Sequence, residues 1–151
     1  MKTVSKINQK LVAVNKAKVA EITSLKNTEE KFLDKNMKAY ADVAKKMKKA
    51  DEAHLKALKK FSNDASCENA HYVKVSKNEL NSCVEAYNHL TQNINGSIDT
   101  LKDLYEQLNA AVAVVDPLKA AKQAEDFIKY NAKVSRAIGK IKDSLSGCPH
   151  N

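Results

Sequence analysis

The most regular apolar pattern in the chain lies in Leu80–Val115, which reads LNSCVEAYNHLTQNINGSIDTLKDLYEQLNAAVAVV. Apolar or small side chains recur in it at alternating steps of three and four residues, which places them on one face of an α-helix. Small, polar Ser97 beside Gly96 is the weakest point of this face. The pattern is typical of a coiled-coil seam and predicts lengthwise helix packing. We name its larger members the seam residues: Leu80, Tyr87, Leu90, Ile94, Leu101, Leu104 and Leu108.

The chain before this stretch also has a helical pattern. Apolar residues recur at three- and four-residue steps over roughly residues 3–62, and we predict one helix there. Asn27 could cap a helix, so a break at Asn27 is the alternative. The turn-forming run Ser62–Ala70 predicts a loop. Ser76 and Glu79 have the spacing of a capping box, so the second helix is predicted over residues 76–115.

Asp116 and Pro117 mark the start of a third helix. Aspartate favours the N-cap position, and proline suits the first helical position because its missing amide would have no partner there. The third helix is therefore predicted over residues 117–146, and Gly147 and Pro149 are expected to end it.

The composition supports an all-α fold, since 151 residues contain only three glycines and two prolines. Helices of about 60, 40 and 30 residues are unequal in length and do not tile into a compact bundle. We therefore predict that residues 1–151 form a single helical domain that pairs as an elongated, antiparallel, coiled-coil-like homodimer. If the first helix breaks at Asn27, a monomeric four-helix bundle is the alternative.

Positive charge is concentrated in the first helix. The chain has a formal net charge of +8; residues 1–63 carry +9, residues 64–115 carry −4 and residues 116–151 carry +3. Some of the basic residues near the helix end complement the helix dipole. The others form a candidate anion-binding surface. We name it the lysine face: Lys45, Lys46, Lys48, Lys49, Lys56, Lys59 and Lys60.

The kind of basic residue indicates the kind of partner. Of 26 basic residues only Arg136 is arginine, the residue that reads guanine and clamps phosphate through a planar fork. Aromatic residues are not interleaved with the lysines, so no specific nucleic-acid binding is predicted. Lysines suit an anionic phospholipid surface, where each cation contributes about 1 kcal/mol. The lysine face is therefore the predicted lipid-binding site.

No catalytic, metal or cofactor site is predicted. The sequence contains no glycine-rich phosphate loop, nucleophile elbow or paired-cysteine metal motif. Cys67 and His71 are four residues apart, but two ligands do not make a metal site. His54 and His89 are expected at the surface or in the seam. The three cysteines, Cys67, Cys83 and Cys148, are interpreted as free thiols in a reducing cytosol.

Two segments resemble the BAR-domain superfamily. SKINQKLVAVNKAKVAEITSLKNTEEKFLDKNMKAY (Ser5–Tyr40) is similar to the opening helix of that family, and VVDPLKAAKQAEDFIKYNAKVSRAIGKI (Val114–Ile141) is similar to its "DPL" helix. Together they cover under half of the chain, which lacks the family's "LDYD" continuation and reads SRAIGKIKDSLSG instead. The resemblance implies a curved, dimeric helical rod that contacts lipid through lysines.

These observations give two main expectations for function, and the scarcity of arginine disfavours a third, a nonspecific nucleic-acid-associated bundle. The first is a non-enzymatic, cytoplasmic, peripheral membrane protein that binds anionic membranes as a homodimer and senses or shapes curvature. The second is a structural or scaffolding coiled-coil protein whose partner is another helix, with the lysines serving solubility. Neither a transmembrane span nor a secretory signal is expected from the sequence.

Overall fold

The computed structural model describes residues 2–145, which form three α-helices and no strand. Helix α1 spans Lys2–Asn63, α2 spans Cys67–Ala113 and α3 spans Pro117–Ser144. The prediction of an all-α chain with three helices is confirmed. Helix α1 continues through Asn27, so the predicted alternative of a break there is not observed. Next to Asn27, the Thr28 hydroxyl donates to the Ser24 carbonyl at 3.0 Å, a side-chain hydrogen bond within the uninterrupted helix.

The connection between α1 and α2 is shorter than predicted, because α2 begins at Cys67. The Asn69 amide donates to the Ser66 Oγ at 3.1 Å, and the Asn69 side chain donates to the Asp64 carbonyl at 2.8 Å. Ser66 is therefore the N-cap, and the predicted capping box at Ser76 is wrong. Ser76 lies inside α2, where its hydroxyl donates to the Val73 carbonyl at 3.0 Å.

The predicted start of α3 is confirmed. Pro117 is its first residue, and the Lys119 amide donates to Asp116 Oδ1 at 3.1 Å. The amides of Val115 and Asp116 both donate to the Val112 carbonyl, at 3.0 and 2.8 Å, which closes the last turn of α2. The predicted stop at Gly147 and Pro149 lies outside the described residues.

The chain divides into two compact units, and both contain part of every helix. Unit 1 consists of Met1–Asp34 and Asn95–Ser135, and unit 2 consists of Lys35–Ile94 and Arg136–Asn151. Within residues 2–145 no helix has a stretch both long and apolar enough to cross a bilayer.

The core of unit 1 is a three-helix contact. Ile22 from α1 packs with Leu108 and Val112 from α2 and with Ala120 from α3. Val19 and Leu104 pack against this cluster and are partly exposed. Burial of a few aliphatic side chains from each helix stabilises the unit by removing apolar area from water.

The core of unit 2 combines alanines with larger side chains. Met47 on α1, Leu80 on α2 and Leu145, just after α3, are its largest buried members, and Ala44 and Ala50 complete it. Partly buried Cys83, Val84, Tyr87 and Ile141 pack against the cluster. Small alanines let the helices approach closely, which explains how narrow apolar stripes can form a core.

Candidate functional site

The lysine face lies at the surface of unit 2. All seven of its side chains are exposed. Lys45, Lys49 and Lys56 are four and seven residues apart and therefore share one side of α1. Met47 and His54, which lie about half a helical turn away from them, are buried. The sequence-predicted lipid-binding residues are thus on the side of α1 that faces away from the core.

The lysine face carries unneutralised charge. Within residues 2–145 none of its seven lysines forms an ion pair with a carboxylate. Two ion pairs within residues 2–145, Lys26 with Glu30 and Lys129 with Glu125, are in unit 1. Unit 2 contains 14 basic and eight acidic residues, and one of the acids, Asp51, is buried. An anion approaching this face therefore meets cations that no neighbouring carboxylate already holds.

The seven lysines are not equivalent. Lys56 and Lys60 line an open groove between the end of α1 and the start of α2, together with Asn69 and Tyr72. Glu68 lines the same groove and accepts a hydrogen bond from the Tyr72 hydroxyl at 3.3 Å. Its carboxylate lowers the positive potential there. The densest group of cations is the group of four in Lys45–Lys49, which we name the lysine cluster: Lys45, Lys46, Lys48 and Lys49. Exposed Asp42 and Glu52, one helical turn before and after it, offset part of its charge.

The seam residues lie in contact with other helices of the same chain. Leu80, Ile94, Leu101 and Leu108 are buried, and Tyr87, Leu90 and Leu104 are partly buried. Leu80 and Tyr87 belong to the core of unit 2, and Leu104 and Leu108 to the core of unit 1. Four of the seven are therefore already covered within the chain and are not available to a second copy.

Unit 1 has a strongly exposed apolar surface where α2 turns into α3. Val114 is 73% exposed, Val115 is 55% exposed and Leu118 is 85% exposed. We name these three residues the apolar corner. Polar residues usually occupy such turns, because the turn lies in water. Three neighbouring aliphatic side chains at a turn are therefore unusual and indicate a contact surface.

A groove adjoins the apolar corner. Its volume is about 260 Å³, and its floor is formed by Val12, Val19, Ala111, Val112 and Val115. Lys16 and Lys119, together with Asn15 and Asp116, complete the lining. Both lysines are exposed. The apolar surface is therefore bordered by cations.

Buried His54 has a structural role in unit 2. Its Nδ1 lies 2.9 Å from the Ser76 Oγ, and the Ser76 hydroxyl donates its proton to the Val73 carbonyl. The Ser76 oxygen must therefore accept from the His54 Nδ1–H. A serine whose proton is held by a carbonyl is not activated as a nucleophile, so this pair links two helices.

A tyrosine and carboxylate network lies in unit 1. The Tyr105 hydroxyl donates to Glu30 Oε1, and the Lys26 ammonium lies 3.6 Å from the same oxygen and 5.1 Å from the Tyr105 ring centre. Burial, followed by the hydrogen bond to Glu30, raises the pKa of Tyr105 well above its usual range. Burial, followed by the charges of Asp34 and Glu30, raises the pKa of Tyr130 to about 12. These hydroxyls stay neutral near physiological pH, so the network is structural.

Two of the three cysteines lie within the described residues. Cys67 is exposed and Cys83 is partly buried, and both are free thiols. No group of three or more candidate metal ligands occurs within residues 2–145. Cys148 lies outside the described residues.

Comparison of the chain with protein-family models, curated proteins and solved structures gave no match. Function must therefore be argued from the surfaces described above, and the BAR-domain resemblance stays a prediction.

Sequence reasoning missed the apolar corner as a site. The signal was present in the run Val114–Leu118, VVDPL, where aliphatic residues flank a predicted turn. The prediction placed Val115 in the apolar series of the second helix, whereas the structure ends α2 at Ala113 and leaves Val115 exposed. A surface of this kind is recognised only when the end of a helix is known.

Proposed function

We propose that this chain is a non-enzymatic helical protein that binds anionic membrane surfaces through the lysine face, as a cytoplasmic peripheral membrane protein. One observation carries the proposal: the lysine face is exposed, lies opposite the core of unit 2, and has no ion pair with a described carboxylate. The density of cations distinguishes this face from the other exposed lysines, since four of the five residues in 45–49 are lysines and their mutual repulsion favours an anionic partner.

The chemistry of the lysine face fits a lipid surface. An ammonium group is a point charge on a flexible stem and tolerates many arrangements of phosphate, as a fluid bilayer demands. Each cation near an anionic leaflet contributes about 1 kcal/mol, so the lysine cluster alone contributes about 4 kcal/mol, roughly a thousandfold in affinity. Because the attraction is electrostatic, it weakens as salt is added.

We further propose that two copies associate as an elongated antiparallel homodimer. Exposed apolar residues support association: Leu55, Leu58 and Phe61 near the end of α1, with Tyr72 and Val75 near the start of α2. These residues, rather than the buried seam residues, would form the contact between copies. A dimer presents two lysine faces, and a BAR-like arrangement of them would respond to membrane curvature.

The second candidate is a scaffolding protein that binds another helix. The same exposed apolar residues favour it, because an amphipathic partner helix could cover them without any membrane. In that case the lysines keep the protein in solution and take no part in binding.

Vesicle co-sedimentation tests the proposal and separates the two candidates. The protein is expected to sediment with vesicles rich in phosphatidylserine at low salt and to be released at high salt. Vesicles of phosphatidylcholine alone should not bind it. Changing Lys45, Lys46, Lys48 and Lys49 to glutamate should reduce binding to the anionic vesicles by at least about a thousandfold, because each change removes an attraction and adds a repulsion. Light scattering in solution should give the mass of two chains for both proteins.

The matched control changes four scattered, exposed lysines to glutamate: Lys31, Lys74, Lys102 and Lys133. Its net charge equals that of the cluster variant, so equal loss of binding in both would show that only total charge matters. Absence of wild-type binding to any vesicle would remove the membrane proposal and leave the helical partner. A cluster variant that unfolds would place these lysines in a packed surface and contradict the assignment.

A further inference from the structure

We propose that the apolar corner of unit 1 inserts into the boundary between headgroups and acyl chains of an anionic bilayer, a role that rests on the membrane binding proposed above. The lysine face attracts the membrane through charge alone. The apolar corner adds a second contact, in the other unit, that depends on the hydrophobic effect and on depth of insertion.

The exposure of the corner carries this inference. Leu118 is the most exposed large apolar residue described, at 85%, and Val114 follows it at 73%. Single exposed aliphatic residues are ordinary, but contiguous apolar patches bordered by polar groups mark contact sites. Val115 joins the two residues to the apolar groove lined by Val12 and Val19, which extends the patch.

Most backbone amides of the apolar corner already donate to acceptors within the protein. The amides of Val115 and Asp116 donate to the Val112 carbonyl, and Pro117 has no amide hydrogen. The Ala120 amide donates to the Asp116 carbonyl at 3.1 Å, and the Lys119 amide is capped by the Asp116 carboxylate. Removing water from this turn therefore leaves few backbone donors unsatisfied, whereas an open loop would lose many hydrogen bonds.

The positive charge around the apolar corner favours an anionic bilayer over a second copy of the chain as its binding partner. Residues 9–20 and 109–122, the segments that contain the lining of the groove, carry five lysines and one acid, a net charge of +4. The rest of unit 1 carries −2. A second copy of the same end would be repelled by this charge. An anionic bilayer offers the opposite charge to Lys16 and Lys119 and an apolar interior to Leu118.

Because the sequence contains no tryptophan, the fluorescence of a single introduced tryptophan reports on the surroundings of that position alone. Leu118→Trp places one indole at the corner, and phosphatidylserine-rich vesicles are expected to shift its emission to shorter wavelength. Lipids brominated on the acyl chain should quench that emission. The matched control is Ile128→Trp, at another apolar α3 position of unit 1 that is 68% exposed and follows Glu125 and Asp126. Its emission should change little.

A loss-of-function variant gives an independent measurement. Val114→Ser, Val115→Ser and Leu118→Ser together should lower the partition coefficient on phosphatidylserine-rich vesicles at least tenfold, measured at a salt concentration that leaves part of the wild type bound. Because the corner acts through the hydrophobic effect, this reduction should depend little on salt, unlike the loss caused by the lysine-cluster changes. Circular dichroism should show unchanged helicity, since these side chains are exposed.

The outcomes separate the two proposals. If wild type binds anionic vesicles but Leu118→Trp shows no shift and no quenching, the corner does not insert, and membrane binding through the lysine face stands. Equal shifts for Leu118→Trp and Ile128→Trp would also overturn insertion at the corner. If wild type binds no vesicle at any salt, both proposals fail, and a partner protein becomes the occupant of this surface.

Discussion

The ring of Tyr40 on α1 stacks on the ring of Tyr87 on α2, with centroids 4.6 Å apart and planes 18° apart. Thr91 lies beside the pair, and its hydroxyl donates to the Tyr87 carbonyl at 2.9 Å. The Tyr40 hydroxyl, 3.1 Å from the Thr91 oxygen, is then the donor in that contact. Burial, followed by the hydrogen bond with Tyr40, raises the pKa of Tyr87 above its usual range.

Tyr40→Phe should distinguish the contribution of the hydrogen bond to stability from that of the ring stacking. The ring stays in place while the bond to Thr91 is lost, so the free energy of unfolding is expected to fall by about 1 kcal/mol. The pKa of Tyr87 should move down toward its ordinary value, because a neighbouring hydroxyl is removed. Urea denaturation and an alkaline absorbance titration measure these effects. Tyr72→Phe is the control, because it removes only an exposed hydrogen bond to Glu68 and should change the free energy of unfolding little. An unchanged free energy of unfolding for Tyr40→Phe would show that the Tyr40 bond contributes nothing.

Ser97→Ala should stabilise the protein. Ser97 is 2% exposed, and its hydroxyl has no hydrogen-bond partner among the described atoms. Removing a buried, unsatisfied hydroxyl and gaining helix propensity should together raise the free energy of unfolding by about 1–2 kcal/mol. Urea denaturation again measures the change. The control is Ser82→Ala, whose exposed hydroxyl donates to the Asn78 carbonyl, and there only the smaller propensity gain is expected. Destabilisation by Ser97→Ala would mean that the hydroxyl has a partner.

Gly96→Ala should also stabilise the protein. Gly96 lies in the interior of α2, and a Cβ added there meets no atom within 4 Å. Alanine reduces the conformational entropy of the unfolded chain, so a gain of about 0.5–1 kcal/mol is expected. Gly139→Ala, in α3 with similar open space, should give a similar gain. The control is Ala86→Gly on the exposed side of α2, which should lower the free energy of unfolding by a similar amount. A fall in the free energy of unfolding for Gly96→Ala would contradict the open space described at Gly96.

Alkaline pH should destabilise the fold through the buried tyrosines. Burial, followed by the charges of Asp34 and Glu30, raises the pKa of Tyr130 from the ordinary tyrosine value of 10 to about 12 in the folded chain. The folded state therefore holds this proton more tightly, and the resulting stability is complete below about pH 10 and is lost as pH rises toward 12. Tyr130→Phe removes the titrating group and should lose less stability than wild type across that window.

Denaturation midpoints at neutral pH and at several alkaline values test this expectation. The two proteins differ only at position 130, so the difference between variant and wild type is the informative quantity. Exposed Tyr72→Phe is the control, because it removes no buried hydroxyl. Identical alkaline profiles for Tyr130→Phe and wild type would show that Tyr130 does not contribute. At neutral pH the variant should be at least as stable, since the Tyr130 hydroxyl has no partner among the described atoms.

The sequence predicted the parts of the fold that depend on periodicity. The spacing of Leu80, Ile94, Leu101 and Leu108 placed them on one face, and all four are buried. The cap at Asp116 was predictable because Asp-Pro combines two local preferences. The start of α2 was not, because serine followed by glutamate three residues later also occurs inside helices, where the hydroxyl bonds its own backbone.

The candidate sites were predictable to different degrees. Exposure of the lysine cluster follows from composition and helical spacing, since lysines near an apolar stripe fall on its opposite side. The apolar corner was not predictable, because it depends on where α2 ends and on which apolar residues the third helix leaves uncovered. Leu118, Ile128 and Val134 are all aliphatic residues of α3, yet of these three only Val134 is buried.

Two polar contacts in unit 2, Tyr40 with Thr91 and His54 with Ser76, determine how α1 and α2 are aligned along their length. As α1 advances from Tyr40 to His54, α2 runs back from Thr91 to Ser76, so both contacts belong to one antiparallel register. Sliding α2 by one heptad would keep aliphatic side chains facing each other but would bury these four polar groups against hydrocarbon. Apolar packing alone would accept several such offsets. The hydrogen bonds therefore select a single offset among those that the repeating leucines and alanines would otherwise tolerate.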